Sequence, residues 1–72
     1  MKREQIAITT PFIKLDALLK FCGAAETGGM AKEMVAAEEV KVDGETCQMR
    51  GKKIYPGMCV EAEGVLYEVT GP

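Results

Sequence analysis

Between Leu15 and Cys22 the apolar residues Leu15, Leu18, Leu19 and Cys22 stand at i, i+3, i+4 and i+7, which on a helix forms one continuous stripe. Asp16 and Lys20 lie outside it at the i, i+4 spacing of an ion pair, and Gly23 supplies a stop. A second helix is predicted from Thr27, whose hydroxyl can cap free amides, to about Ala37, with Ala31, Met34 and Val35 as its buried stripe. Gly29, Lys32 and Ala36 share a different face, so this lysine stands between two residues too small to obstruct what it contacts. After the helices the period changes to two. Val40-Lys41-Val42 and Glu45-Thr46-Cys47 flank Asp43-Gly44, a two-residue hairpin signal. Pro56-Gly57 reads as a turn, Met58, Val60 and Ala62 alternate with Cys59, Glu61 and Glu63, and Gly64 turns the chain into Val65–Val69. Ahead of the first helix, Glu4–Ile8 reads as a short strand ended by Thr9-Thr10-Pro11. The predicted class is α+β: two packed helices followed by a small antiparallel sheet.

At 72 residues there is room for one small domain and no large catalytic cleft. Nine Lys and Arg against eleven Asp and Glu give a net charge of -2, which excludes nucleic-acid binding through bulk positive charge and leaves only a local patch. Such a patch exists: Arg50, Lys52 and Lys53 fall within four positions, whereas residues 54–72 carry Glu61, Glu63 and Glu68 and no base. The three cysteines, Cys22, Cys47 and Cys59, are far apart and form no C-x-x-C pair, so neither a disulfide framework nor a zinc site is expected, and a reducing cytoplasm fits them. The sequence has no histidine and no apolar run near the ~20 residues of a membrane span, and its start lacks a signal-peptide core. No nucleophile has a base beside it and the acids are scattered. An enzyme, a cofactor, a metal, a small-molecule substrate and a membrane partner are therefore not expected.

Two segments carry candidate binding chemistry. Gly28-Gly29-Met30-Ala31-Lys32 brings an open backbone to a helix start with a lysine one turn in, which suits a phosphate; the same glycines would equally start a tightly packed helical corner. Gly23 to Gly28 has the glycine spacing of a nucleotide P-loop, but Gly29 stands where the lysine must be and Met30 where the hydroxyl must be, which excludes that site. Arg50-Gly51-Lys52-Lys53 is predicted as a loop that can lay cations along a phosphate backbone, or simply a solvated one. Lys14 and Lys20 read as helix charges and the five methionines as core filler; Tyr55 and Tyr67 could stack a base, but half-buried strand aromatics are the commoner case and the expected one.

Together, Lys14-Leu15-Asp16, Thr27-Gly28-Gly29 with Ala31-Lys32, Val40-x-Val42-Asp43-Gly44 and Arg50-Gly51-Lys52-Lys53 before Pro56-Gly57 resemble the S-four RNA-binding domain. The resemblance is to its small stand-alone bacterial type, whose fold is the alpha-L motif. It spans about two-thirds of the chain and implies a single domain over residues 1–72 with its core motif at about 13–62. It also implies binding to structured RNA, ribosomal RNA foremost, in ribosome assembly or translation. Carried over residue by residue, the contact positions fall on Lys14, Thr27, Gly29, Lys32, Arg50, Lys52 and Lys53. Four positions depart from the family pattern: Gly28 replaces an arginine, Glu38 a glycine, Asp43 an asparagine and Met58 an aspartate. The expected activity is non-enzymatic binding through phosphates and shape. The alternative is a protein-interaction module whose acidic sheet side, Glu61, Glu63 and Glu68, docks a basic partner such as a ribosomal protein.

Overall fold

A computed structural model describes residues 1–71. In chain order the elements are β1 (Lys2–Ala7), β2 (Ile13–Lys14), α1 (Leu15–Phe21), α2 (Gly28–Ala36), β3 (Lys41–Val42), β4 (Glu45–Thr46), β5 (Lys53–Ile54), β6 (Cys59–Ala62) and β7 (Val65–Thr70). The predicted stripes are the buried ones: Leu15, Leu18 and Leu19 on α1, and Ala31, Met34 and Val35 on α2. They join Val40, Val42, Ile54, Val60, Ala62, Tyr67 and Val69 in one apolar cluster. The class is α+β, as the sequence predicts.

The sheet is mixed rather than purely antiparallel. Its five strands run in the order β1-β7-β6-β3-β4, and β1 lies parallel to β7 with Lys2 opposite Val65 and Ala7 opposite Thr70. Burial selects this register, because it sets Ile6 beside Val69 on the core side. A second ladder, β2 with β5, pairs Ile13 with Ile54 and Lys14 with Lys53. Lys14 and Lys53 are therefore strand residues, where the sequence placed them in a helix start and a loop. The period-two triplets Phe12-Ile13-Lys14 and Lys53-Ile54-Tyr55 are too short to outweigh the helical stripe beside them.

Three of the family departures have defined settings in the structure. Glu38 has φ 61°, its amide donates to Val35 O at 3.2 Å and that of Glu39 to Met34 O at 3.1 Å. This is a Schellman ending with a glutamate at the left-handed position that favours glycine. Asp43, with φ 49°, and Gly44, with φ 87°, form the predicted hairpin turn. The Asp43 carboxylate accepts the Cys59 amide at 2.8 Å and so fastens the hairpin to β6. Met58 Sδ accepts the Tyr55 amide at 3.2 Å, while its own amide closes the Pro56-Gly57 turn on Tyr55 O at 3.1 Å. Three of the methionines, Met1, Met30 and Met49, are exposed, so only Met34 and the half-buried Met58 serve as filler.

Tyr67 is a core residue, 4% exposed. Burial first, then the neighbouring Cys22 thiol and the Glu4 and Glu63 carboxylates, push its phenol up to about 12. In the unfolded chain tyrosine ionises near ~10, so the folded state favours the neutral phenol. The resulting stability is full below pH ~10 and is lost as pH rises through the folded value. Urea midpoints at pH ~9 and ~11 are expected to fall more steeply for the parent than for Tyr67→Phe; parallel declines would refute this linkage.

Candidate nucleic-acid interface

The starts of the two helices are built differently. Lys14 precedes α1 and offers no capping oxygen, and the chain from 50 to 53 closes that end instead. The Leu15 amide donates to Lys52 O and the Asp16 amide to Arg50 O, each at 2.9 Å, and the Ala17 amide donates to Asp16 Oδ1 at 2.7 Å. With three first-turn donors satisfied, the α1 start has little backbone capacity left for an anion. Its sealing nevertheless gathers charge. Carbonyls of the 50–53 segment turn to the helix, Arg50 and Lys53 are exposed, Lys52 is half-buried, and Lys14 sits opposite Lys53.

Thr27 caps α2 by accepting the Met30 amide on Oγ1 at 3.1 Å, and its carbonyl takes the Ala31 amide at 3.1 Å. The amides of Gly28 and Gly29 remain at the helix end, where the dipole favours negative charge. A Cβ on Gly28 would meet nothing within 4 Å, and one on Gly29 only Thr27 Oγ1 at 3.7 Å, an ordinary contact. Packing therefore does not require either glycine, which removes the reading of a tight helical corner. Lys32 is exposed one turn further along α2.

The seven candidate residues thus fall into two groups, Lys14, Arg50, Lys52 and Lys53 at the α1 start and Thr27, Gly29 and Lys32 on α2. Asp16, Ala17 and Lys20 of α1 border one shallow hollow with Gly28, so the exposed flank of α1 connects the groups. Among the described residues the only ion pair within 4.0 Å is Lys2–Glu4. The expected Asp16–Lys20 pair does not form, and Lys14, Lys20, Lys32, Arg50, Lys52 and Lys53 all lack a counter-ion within 4.0 Å among the described residues. Lys20 comes beside the candidate residues only through this packing, which one-dimensional spacing does not reveal. The acidic sheet side is also less uniform than the sequence suggests: Lys41 stands opposite Glu61 and Arg3 opposite Leu66, and Gln5 donates to Glu68 Oε1 at 3.1 Å. No cluster of three or more Cys, Asp or Glu suited to a metal occurs among the described residues, and no helix there is long and apolar enough to cross a membrane.

Known proteins share much of this sequence. The chain is 42% identical over 59 residues to the probable ribosome maturation protein RlbA of Bacillus subtilis (strain 168), an alignment covering 82% of this chain and 83% of that protein. A family model described as the S4 domain matches residues 6–70, a span holding both helices, the 50–53 segment and every strand except the first four residues of β1. The resemblance first carried by Lys14-Leu15-Asp16, Thr27-Gly28-Gly29 and Arg50-Gly51-Lys52-Lys53 is thereby shown, and the chain belongs to the S4 domain family.

Proposed function

We propose that this chain acts as one RNA-binding module, without catalysis, in ribosome assembly in the cytoplasm. It holds structured RNA, ribosomal RNA foremost, by phosphates and A-form shape, with little reading of base edges. The observation that carries this reading is the seam between residues 50–53 and the α1 start, which concentrates four cations without internal counter-ions at one edge of a net-acidic chain. Lys14, Arg50, Lys52 and Lys53 meet one stretch of phosphates, while Lys32 and the Gly28 and Gly29 amides meet another. Family membership and a relative named for ribosome maturation support the ribosomal setting. Ribosomal proteins are candidate neighbours on the bound RNA. A purely protein-docking role draws less support, because Arg3 and Lys41 interrupt the acids of the outer sheet face.

Salt titration of binding to a ribosomal-RNA helix tests the proposal. With roughly four to six cations engaged, each phosphate contact contributes ~0.7 to 0.9 to the slope of log affinity against log salt. Lys32→Glu is expected to lower affinity at least ~10-fold, about 1.4 kcal/mol, since a repulsion replaces an attraction at the same phosphate. Its melting temperature should stay near the parent's, as a helix interior accepts Glu as readily as Lys. A flat salt dependence, or parent-like binding by Lys32→Glu, would sink the two-site reading.

A further inference from the structure

The β2–β5 ladder has an outer face that phosphate contacts alone do not explain. Ile54 is fully buried and Ile13 packs against the core, so strand alternation turns Phe12, Lys14, Lys53 and Tyr55 the other way. The register sets the lysines opposite each other, and just beyond the end of the ladder Phe12 meets Tyr55. The Phe12 and Tyr55 ring centroids are 5.7 Å apart at an interplanar angle of 49°, and Lys53 Nζ lies 4.9 Å from the Phe12 centroid. One face of Phe12 is thus occupied by a cation, whereas Tyr55 remains 46% exposed. The backbone of Tyr55 is held at both ends, its amide on Met58 Sδ and its carbonyl closing the Pro56-Gly57 turn.

An exposed aromatic ring beside a second ring that carries a cation, on a ladder with two paired lysines, matches a nucleobase with phosphates on either side, because every base has a π-face to stack and every linkage a charge to neutralise. In a continuous duplex the base faces are covered by their neighbours, so the fitting ligand is an unpaired nucleotide. We infer that the outer face of the β2–β5 ladder is a stacking site for one unpaired RNA base, resting on Tyr55 between phosphates met by Lys14 and Lys53. This inference depends on the RNA-binding reading above. It adds a preference that charge and shape cannot supply: an RNA helix interrupted by a bulged or flanking nucleotide binds better than a continuous one. Phe12 is a positioning residue here, supporting the Tyr55 ring from the side and holding the Lys53 ammonium close to it.

The test compares a fully paired RNA hairpin, the same hairpin with one bulged adenosine, and the bulged hairpin with that nucleotide abasic. The parent is expected to prefer the bulged hairpin, and Tyr55→Ala to lose about tenfold on it while staying within about twofold on the paired one. Removing the base should weaken the parent by a similar factor and leave Tyr55→Ala unchanged. Tyr55→Phe keeps the ring and should bind like the parent, while Tyr55→Leu keeps apolar bulk without the ring and should bind like Tyr55→Ala. Melting curves confirm that each variant is folded. Equal losses on paired and bulged hairpins, no loss on either, or parent-like binding by folded Tyr55→Leu would overturn the stacking site while leaving phosphate binding intact. If the parent binds none of the three RNAs at low salt, the RNA-binding reading fails and the stacking site with it.

Discussion

Replacing both Lys52 and Lys53 by glutamate is expected to lower affinity for structured RNA on the order of 100-fold without weakening the fold. Each reversal turns a phosphate attraction into a repulsion of at least ~1.4 kcal/mol, about tenfold, and the salt slope should shrink by roughly 0.7 to 0.9 for each lost contact. Stability follows a different balance. Lys53 stands opposite Lys14 on the β2–β5 ladder, and like charges in that relation oppose strand pairing. Glutamate at 53 would create an opposite-charge pair worth ~0.2 to 1 kcal/mol, against a loss of ~0.5 to 1 kcal/mol from the cation over Phe12. The two nearly cancel, so thermal melting should show a parent-like or slightly raised midpoint beside the collapse in binding. A large drop in melting temperature would instead make the 50–53 cations part of the scaffold.

Leu19→Ala is expected to act in the opposite way, through the fold alone. Leu19 is fully buried on α1, within the cluster that joins both helices to the sheet. Truncating such a leucine costs ~2 to 5 kcal/mol, from lost burial and the cavity left behind. A domain of this size has only ~4 to 11 kcal/mol in total, at ~0.05 to 0.15 kcal/mol per residue. At ~4 to 8 °C per kcal/mol, the midpoint should drop by roughly 10 to 40 °C. Below the new transition the surviving folded protein should bind RNA with parent affinity, because Leu19 is no part of the exposed face. A melting shift of only a few degrees would mean that this site collapses around the smaller side chain and that α1 is less central to the core.

Both helices were legible because their stripes run through two turns and end at strong signals, Gly23 after α1 and Thr27 before α2. The hairpin was legible from Asp43-Gly44 and the later strands from their alternation. Ladders as short as β2 and β5, two residues each, carry too little pattern to be seen, and a parallel partner for β1 cannot be inferred from local sequence at all. The candidate site divides along the same line. Lys32, Gly29 and the 50–53 cations were visible as types and spacings. Their grouping depends on backbone bonds from Leu15 and Asp16 to carbonyls more than thirty residues later, so only the fold could bring Lys14 to Lys53, Phe12 to Tyr55 and Lys20 to Gly28.

The parallel pairing of β1 with β7 also sets an order of assembly. Every residue of β1 waits for a partner 63 positions later, whereas the α1 start needs only the chain through Lys52 and the β3–β4 hairpin only its own turn. Closing so long a loop adds little free energy, since each doubling costs ~0.6 kcal/mol, but long-range pairing of this kind is slow. During synthesis on the ribosome β1 therefore emerges long before the strand it pairs with. An unpaired strand edge can recruit another nascent copy, and Lys2, Arg3 and Glu4 place charge along this one, which opposes such pairing until β7 arrives.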